Sequence, residues 1–504
     1  MNDDLVDAMG LRLKHRDRFA IVAVLVLGLV LRLLWLDGQS LTMDEIEDLN
    51  VARRPADLFG LIKGARRFPP LYHLILRAWQ SVFPGDLSAR VLSVVLGLCT
   101  ILVIYHLAKL LAGRRTAIWV AVLSSLSPFL IWYSQEVRVY GLVLLVAAAS
   151  LLYFFRALES DSLRDWAFFV VAATAGIFSH YYFPVLLILT AAISAWTMRA
   201  DRMRLKHALI AHGVLLLMAI PWAYLLLRDL REPWGASRFS SFGFSGFGYT
   251  YLSFVTGYAI GPSLRALHIM GTREVVVSML PWLLVIALSV AVLVRSGYVA
   301  LEGTRWRGAL IVLSIAPVVI VGLASDVGPF GYNVRHVVWV FVPVVIWLGS
   351  GLSRWRVSRA VALAGLALIV VSGVALTNRH LKDSYRNEDS RAVAEFLESS
   401  GELVPVVVSA GYMASPLDYY LDDSWMLTPV PPVTGKLEQD RAILGVTRQL
   451  VEHGHVWFAY SREFHGDPEG LLLAALEEGF GVELVIRFAG YRLYRITASH
   501  SSHT

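Results

Sequence analysis

Long apolar runs broken by short basic stretches occupy the first three quarters of the chain. A bilayer core about 30 Å thick takes about 20 apolar residues per helix. On that measure the pattern predicts about eleven spans, beginning at Phe19–Leu36, Leu87–Leu111, Ala117–Tyr133 and Gly141–Leu158 and ending at Ala360–Thr377. Trp166–Ser179 and Phe183–Met198 are short and almost continuous through His180-Tyr181-Tyr182. The first run follows Arg12, Lys14, Arg16 and Arg18, which looks like the basic start of a signal peptide. No small-residue cleavage site follows and further spans do, so it is read as a retained helix.

Basic residues then orient the spans. With a cytoplasmic N-terminus, Arg114/Arg115, Arg202/Arg204/Lys206, Arg305/Arg307 and Arg354/Arg356 all fall inside, while the short outer loops carry only Arg138 and Arg335. With eleven spans, this arrangement places the C-terminal segment on the outer side of the membrane. The first outer loop, 37–86, has apolar residues at helical spacing (Leu58, Leu61, Ile62; then Leu71, Leu74, Ile75, Ala78) and predicts two surface helices, the second led by Pro69-Pro70. A second long loop, Arg228–Glu274, is rich in Gly, Ser, Phe and Tyr and reads as a mobile interfacial segment.

From Asn378 the pattern changes. Helical stretches at Glu388–Leu397, Pro416–Leu421, Glu438–Glu452 and Pro468–Glu478 alternate with apolar strands at Val404–Ser409 and Val456–Tyr460, and Val482–Ile496 closes as a strand pair. The expected organisation is a transmembrane α-helical domain over 1–377 and a soluble α/β domain over 378–504. The latter contains no GxGxxG and no P-loop, so no nucleotide site is assigned.

Composition agrees with that division. Hydrophobic residues make up 56% and charged residues 17%, with a mean hydropathy of +0.59. The charge is too sparse to cover the surface of a water-soluble enzyme or to solvate a disordered regulator. The formal charge of +6 is small for 504 residues, and no nucleic-acid partner is implied. A single cysteine, Cys99, excludes an intrachain disulfide.

Ionisable residues are expensive inside hydrocarbon and are usually kept for function. The spans read as nearly free of them, with His106, Lys109 and His212 as exceptions, which argues against a transporter or flippase. Polar residues gather instead at the outer ends of spans: Asp44-Glu45, Arg66-Arg67, the segment Gln135-Glu136-Val137-Arg138-Val139-Tyr140, His180-Tyr181-Tyr182 and Arg335-His336. Each has an ordinary reading alone. Asp44-Glu45 reads equally as a solvated acidic pair, Phe68-Pro69-Pro70 as a stiff helix start, Glu136 with Arg138 as an exposed ion pair of little energetic weight, and Arg335-His336 as interface anchoring. Five clusters on one face read together as one site.

The order of these motifs resembles a known family. An Asp-Glu first loop, Pro-Pro-Leu-Tyr, Ser127-Pro128-Phe129 through Trp132-Tyr133-Ser134-Gln135-Glu136-x-Arg138-x-Tyr140, and Ser179-His180-Tyr181-Tyr182 are similar to bacterial membrane glycosyltransferases of the GT-C fold, in the group related to protein O-mannosyltransferases (family 39, RgtA/B/C/D-like domain). The likeness covers roughly 19–200; beyond that it rests on topology and on Arg335, where an Arg-His pair replaces the family's Arg-Tyr. The resemblance implies a polyprenyl-phosphate-linked sugar donor, a glycan, lipid or protein acceptor on the external side, and one inverting displacement. Asp44 would be the general base with Glu45 as partner or substitute, and Arg138, Arg335 and Arg67 would hold the donor phosphate. Gln135, Glu136, Tyr140, His180, Tyr181 and His336 would line the site, with Asp44 and Glu136 as candidates for a divalent ion. Glycan polymerases and ligases share this topology and are the alternative enzyme class.

Overall fold

The computed structural model describes residues 15–53, 69–229, 242–327 and 331–498. Among them, seven helices are long and apolar enough to cross a membrane, from Asp86–Leu126 to Arg359–Leu381, as befits a multi-pass membrane protein. Other expected runs fall short of that measure for physical reasons. Helix α1 (His15–Leu33) carries charges at both ends. Two expected runs merge into one helix, Asp86–Leu126, with 41 residues. A straight helix of that length would extend about 60 Å. This one bends at Gly113, where φ is 81°. Residues with a Cβ rarely adopt that conformation.

The chain divides into two compact units, one from Met1–Leu36, Val51–Tyr258 and Pro281–Ala375, the other from Asp37–Asn50, Ala259–Leu280 and Leu376–Thr504. In chain order the first helices are α1, α2 (Met43–Arg53), α3 (Pro70–Val82), α4 (Asp86–Leu126), α5 (Pro128–Gln135), α6 (Tyr140–Ser160), α7 (Leu163–Ile177) and α8 (Phe183–Met198). The expected surface helix around Leu58 lies outside the described residues, whereas the one after Pro69 forms as α3, with proline in its first turn. The aromatic second loop differs from expectation. From Gly243 to Thr256 it is helical, and the Tyr251 hydroxyl donates to the Ser314 carbonyl at 2.7 Å.

The expected near-absence of interior charge is corrected by Arg32. It lies within the first apolar run, and its side chain is completely buried. Nε donates to Ser134 Oγ at 3.0 Å, and Nη1 and Nη2 donate to the carbonyls of Gly28, Ser125 and Ser124 at 3.1, 3.3 and 3.3 Å. Neutral acceptors thus surround the cation, and a guanidinium can serve all of them because its donors point outward in a plane. The cradle joins α1 to the end of α4 and to α5. Gly97 makes room for it: a Cβ there would overlap Ser134 Oγ and stand 3.2 Å from Arg32 Nε.

The last carbonyls of a helix lack partners within it. At the end of α1 they are met from outside, Gln135 Nε2 donating to the Arg32 and Leu34 carbonyls at 3.0 Å each and Arg90 Nη1 to the Leu36 carbonyl at 2.9 Å. Near the start of α1, Asp17 pairs with Lys109 at 2.9 Å and with Arg114. Lys109 therefore has a defined partner as well as a long stem.

In the second unit a five-stranded sheet has the order β2-β1-β3-β5-β4, from β1 (Val406–Val408), β2 (Leu427–Pro429), β3 (His455–Ser461), β4 (Phe480–Phe488) and β5 (Tyr491–Ala498). β1 runs parallel to β2 and β3, while β5 is antiparallel to both β3 and β4. Side chains alternate across the sheet as strand geometry requires. Val406, Val408, Trp457 and Leu493 pack with Val393, Leu397 and Leu417 on one face. Val407, Phe458, Tyr494 and Ile496 pack with Val446, Leu450, Leu472 and Leu476 on the other. Helices on both faces explain why β1 is buried throughout and reads as an unbroken Val-Val-Val.

Two glycines in helices should respond oppositely to an added methyl. Gly97→Ala overpacks the Arg32 cradle and should destabilise by about 1–3 kcal/mol. At Gly213 an added Cβ meets nothing within 4 Å. Gly213→Ala should therefore stabilise by about 0.5–1 kcal/mol. Thermal melts of both variants in detergent check this; a Gly97→Ala protein as stable as the parent would contradict the packing described.

Candidate active site

The break between α5 and α6 carries Gln135 to Tyr140. Ser127 caps the start of α5, its hydroxyl accepting from the Leu130 amide at 3.2 Å. Pro128 occupies the first turn, where no amide donor is needed. The helix ends at Glu136, whose backbone is extended and whose carbonyl accepts from Ser93 Oγ at 2.6 Å. Gln135, fastened to the end of α1, fixes the same break from the other side. Two anchors therefore define where Arg138 emerges.

Arg138 is only 9% exposed, and its guanidinium lies 5.7 Å from the centre of the Tyr140 ring. Tyr140 is 5.1 Å from Tyr133 and 6.2 Å from His180, ring centre to ring centre. His180 is 6.4 Å from His336, which packs 4.9 Å from Tyr182. The turn bearing His180 is tied to the Pro-Pro-Leu-Tyr motif. There the Leu71 amide, a first-turn donor of α3 that its own helix cannot pair, bonds to the Phe178 carbonyl at 3.1 Å. Arg335 follows Asn333, whose side chain accepts the Arg335 amide at 3.1 Å. Burial and the charge of Arg335 push the His180 pKa down to about 4. The ring is therefore neutral at pH 7. The Tyr182 amide donates to its Nδ1 at 3.3 Å. In a neutral imidazole the proton then resides on Nε2, where it can donate.

Arg138, Tyr140, His180 and His336 thus form one connected group in the first unit, with Gln135 anchoring the segment that bears Arg138 and Arg335 acting on the group electrostatically. Tyr181 is half-buried beside them in sequence, but the ring against His336 is Tyr182. Sequence reasoning did not single out Tyr182 within the Tyr-Tyr pair. It also passed over Tyr258, whose hydroxyl lies 2.9 Å from that of Tyr133. No spacing signal distinguishes either residue from ordinary interfacial aromatics.

Asp44 and Glu45 belong to the second unit. They stand in the first turn of α2. Glu45 is fully buried, and its carboxylate accepts from the Thr42 amide at 2.8 Å and from the Thr42 hydroxyl at 3.1 Å. The Glu45 amide in turn donates to Thr42 Oγ1 at 3.3 Å. This reciprocal arrangement is a capping box, visible in the sequence as Thr42-x-x-Glu45. It fixes the turn on which half-buried Asp44 sits. Arg67 lies outside the described residues, as does Arg66. Among the described residues, no group of three or more His, Cys, Asp or Glu side chains is arranged to hold a metal ion.

Comparison with known proteins bears on this arrangement. Residues 67–225 match the family model described as dolichyl-phosphate-mannose-protein mannosyltransferase. ArnT from Cupriavidus metallidurans bound to undecaprenyl phosphate has a similar structure, with 14% identity, a TM-score of 0.55 and coverage of 95% of this chain and 98% of that one. The archaeal oligosaccharyltransferase AglB from Archaeoglobus fulgidus, in complex with an inhibitory peptide and a dolichol-phosphate, is similar at 13% identity and a TM-score of 0.53, over 97% of this chain and 75% of that one. No protein with a curated description matches in sequence. The fold is the GT-C fold of membrane glycosyltransferases, as the motif order implied.

The state of His180 sets a pH dependence. The native site resists protonation until about pH 4, whereas the ordinary value is 6.5. An unfolded chain therefore takes up a proton here first as pH falls. The protein should lose up to about 3 kcal/mol through that window, and nothing from this residue above it. His180→Gln should flatten the fall. Melting temperatures above, within and at the foot of the window measure the effect, and equal losses in variant and parent would contradict it.

Proposed function

We propose that the protein is a membrane glycosyltransferase that moves a sugar from a polyprenyl-phosphate donor to a glycan, lipid or protein acceptor at the external face of the bacterial inner membrane. The observation that carries this reading is the connected group of Arg138, Tyr140, His180 and His336, with the charge of Arg335 acting on it, in a chain whose fold runs through nearly the whole of ArnT. The displacement needs three things: a base for the acceptor hydroxyl, stabilisation of the departing phosphate, and contacts that hold the ring.

Asp44 takes the proton as the acceptor oxygen forms its bond to the anomeric carbon. The bond from that carbon to the phosphate oxygen breaks, its electron pair leaves with the lipid phosphate, and the anomeric configuration inverts. Arg138 and Arg335 stabilise the charge that develops on the departing anion, and a guanidinium fork suits phosphate oxygens. Glu45 serves Asp44 by locking its turn. Neutral His180 offers its Nε2 proton to a sugar hydroxyl, and Gln135 acts by holding the segment that presents Arg138. In this reading the N-terminus is cytoplasmic and the mixed α/β unit external.

The test uses purified protein and a set of undecaprenyl-phosphate-linked hexoses and pentoses, each tritiated in the sugar, with an envelope extract as acceptor. At least one donor should be consumed by the parent protein. Asp44→Asn should reduce consumption to background, and Arg138→Ala should slow it at least about tenfold, since it removes one transition-state donor. If no donor is consumed, or if Asp44→Asn retains full rate, this reading is wrong.

A further inference from the structure

The segment leading into α2, Asp37 to Leu41, has no regular structure of its own, so its backbone groups need partners elsewhere. Residues of the C-terminal third supply them one after another. Arg391 donates to the Asp37 carbonyl at 3.4 Å and to the Gln39 carbonyl at 3.2 Å, and pairs with the Asp37 carboxylate at 3.2 Å. Arg386 donates to the Gly38 carbonyl and Asn387 to the Ser40 carbonyl, each at 3.3 Å. The Leu41 amide donates to the Tyr420 hydroxyl at 2.8 Å. Five successive residues are thus met, four by the strip Arg386–Arg391 and the fifth by Tyr420, and the contacts stop one residue short of Thr42, the cap of the helix that bears Asp44.

Side chains close the same seam. Ser40 Oγ donates to Asp389 Oδ1 at 2.6 Å and accepts the Arg391 amide at 3.1 Å. The same Asp389 oxygen caps the helix Ser390–Ser400, accepting from the Ala392 amide at 3.3 Å. The preceding residue, Glu388, is gripped through both oxygens by Arg462 at 2.9 and 3.2 Å, with Arg265 at 3.8 Å. Burial alone would raise the Glu388 pKa, yet the two cations hold it below the usual carboxylate range. The strip is itself held rigidly, which makes it a template and not a flexible strap.

We propose that Arg391, Asp389 and Tyr420 are positioning residues for the transfer reaction. They set the entry of α2 and thereby the location of the Asp44 carboxylate. The proposal rests on the reading of Asp44 as the base. It assigns the second unit a part in the chemical step, beyond any part it plays in acceptor capture. A carboxylate displaced by about 1 Å loses on the order of a hundredfold in rate, so seam variants should lower kcat and leave the KM for donor and acceptor unchanged.

The experiment compares full-length Arg391→Ala, Arg391→Lys, Tyr420→Phe, Asp44→Asn and, as a control on the exposed face of the same unit, Arg448→Ala. Two readouts are used: consumption of the tritiated undecaprenyl-phosphate sugar, and hydrogen–deuterium exchange of the 37–50 peptide. Arg391→Ala should lower kcat at least about tenfold without a change in KM and speed exchange in 37–50. Arg391→Lys should recover part of both effects, Tyr420→Phe should give a smaller loss of the same kind, and Arg448→Ala should match the parent. A rise in acceptor KM with kcat unchanged would overturn the proposal in favour of acceptor capture, and unchanged exchange in 37–50 would overturn the seam itself. If Asp44→Asn is fully active, the failure lies in the reading of the base, and exchange still decides whether the seam exists.

Discussion

A guanidinium cannot lie in an apolar medium without acceptors, and the first unit is organised around satisfying that demand at Arg32. Its donors require oxygens from several directions. The sequence supplies a serine hydroxyl on one helix and free carbonyls where another helix ends, with a glycine opposite to let them approach. Three helices meet as a result. The same meeting delivers the carbonyls at the end of α1 to Gln135, which carries the break that presents Arg138. Scaffold and site therefore share a hydrogen-bonded chain, and Arg138 inherits its position from a buried arginine.

Much of this was legible beforehand. Apolar runs marked where helices form, because hydropathy over about twenty residues reports what lipid demands. The alternation in the C-terminal third marked β1, β3 and the closing pair β4–β5, with Val406 to Val408 already read as a buried strand, but not the three-residue edge strand β2, whose Pro429 reads as loop. Residues near Gln135 and His180 were recognisable because polar groups at span ends are conspicuous against hydrocarbon. What escaped was whatever depends on partners remote in sequence. Arg32 looked like part of an apolar run since its acceptors on α4 and α5 lie 92 to 102 residues away. Tyr182 could not be told from Tyr181 without knowing which ring faces His336. The helical character of 243–256 was hidden by glycines and serines that favour loops in isolation.

The acidic pair is instructive because its two members separate. The resemblance made Asp44 the expected base, with Glu45 as its partner or substitute. Helix geometry distinguishes them: Glu45 stands three residues after Thr42, the spacing at which a carboxylate reaches back to the cap, while Asp44 does not. Glu45 is thus committed to the turn's own backbone and hydroxyl, and the two neighbours hold different stations in it.

The seam between Ser40 and Asp389 has a bearing on biogenesis. The two residues are separated by 349 positions. At ribosomal speeds of about 5–20 residues per second the early loop waits some tens of seconds for its template. Throughout that interval the membrane helices can insert and pack, while the partners that the seam gives the loop are still to come. A nascent chain that has not yet reached Asp389 is thus an unfinished tool, and maturation of the loop is timed by arrival of the segment that carries it.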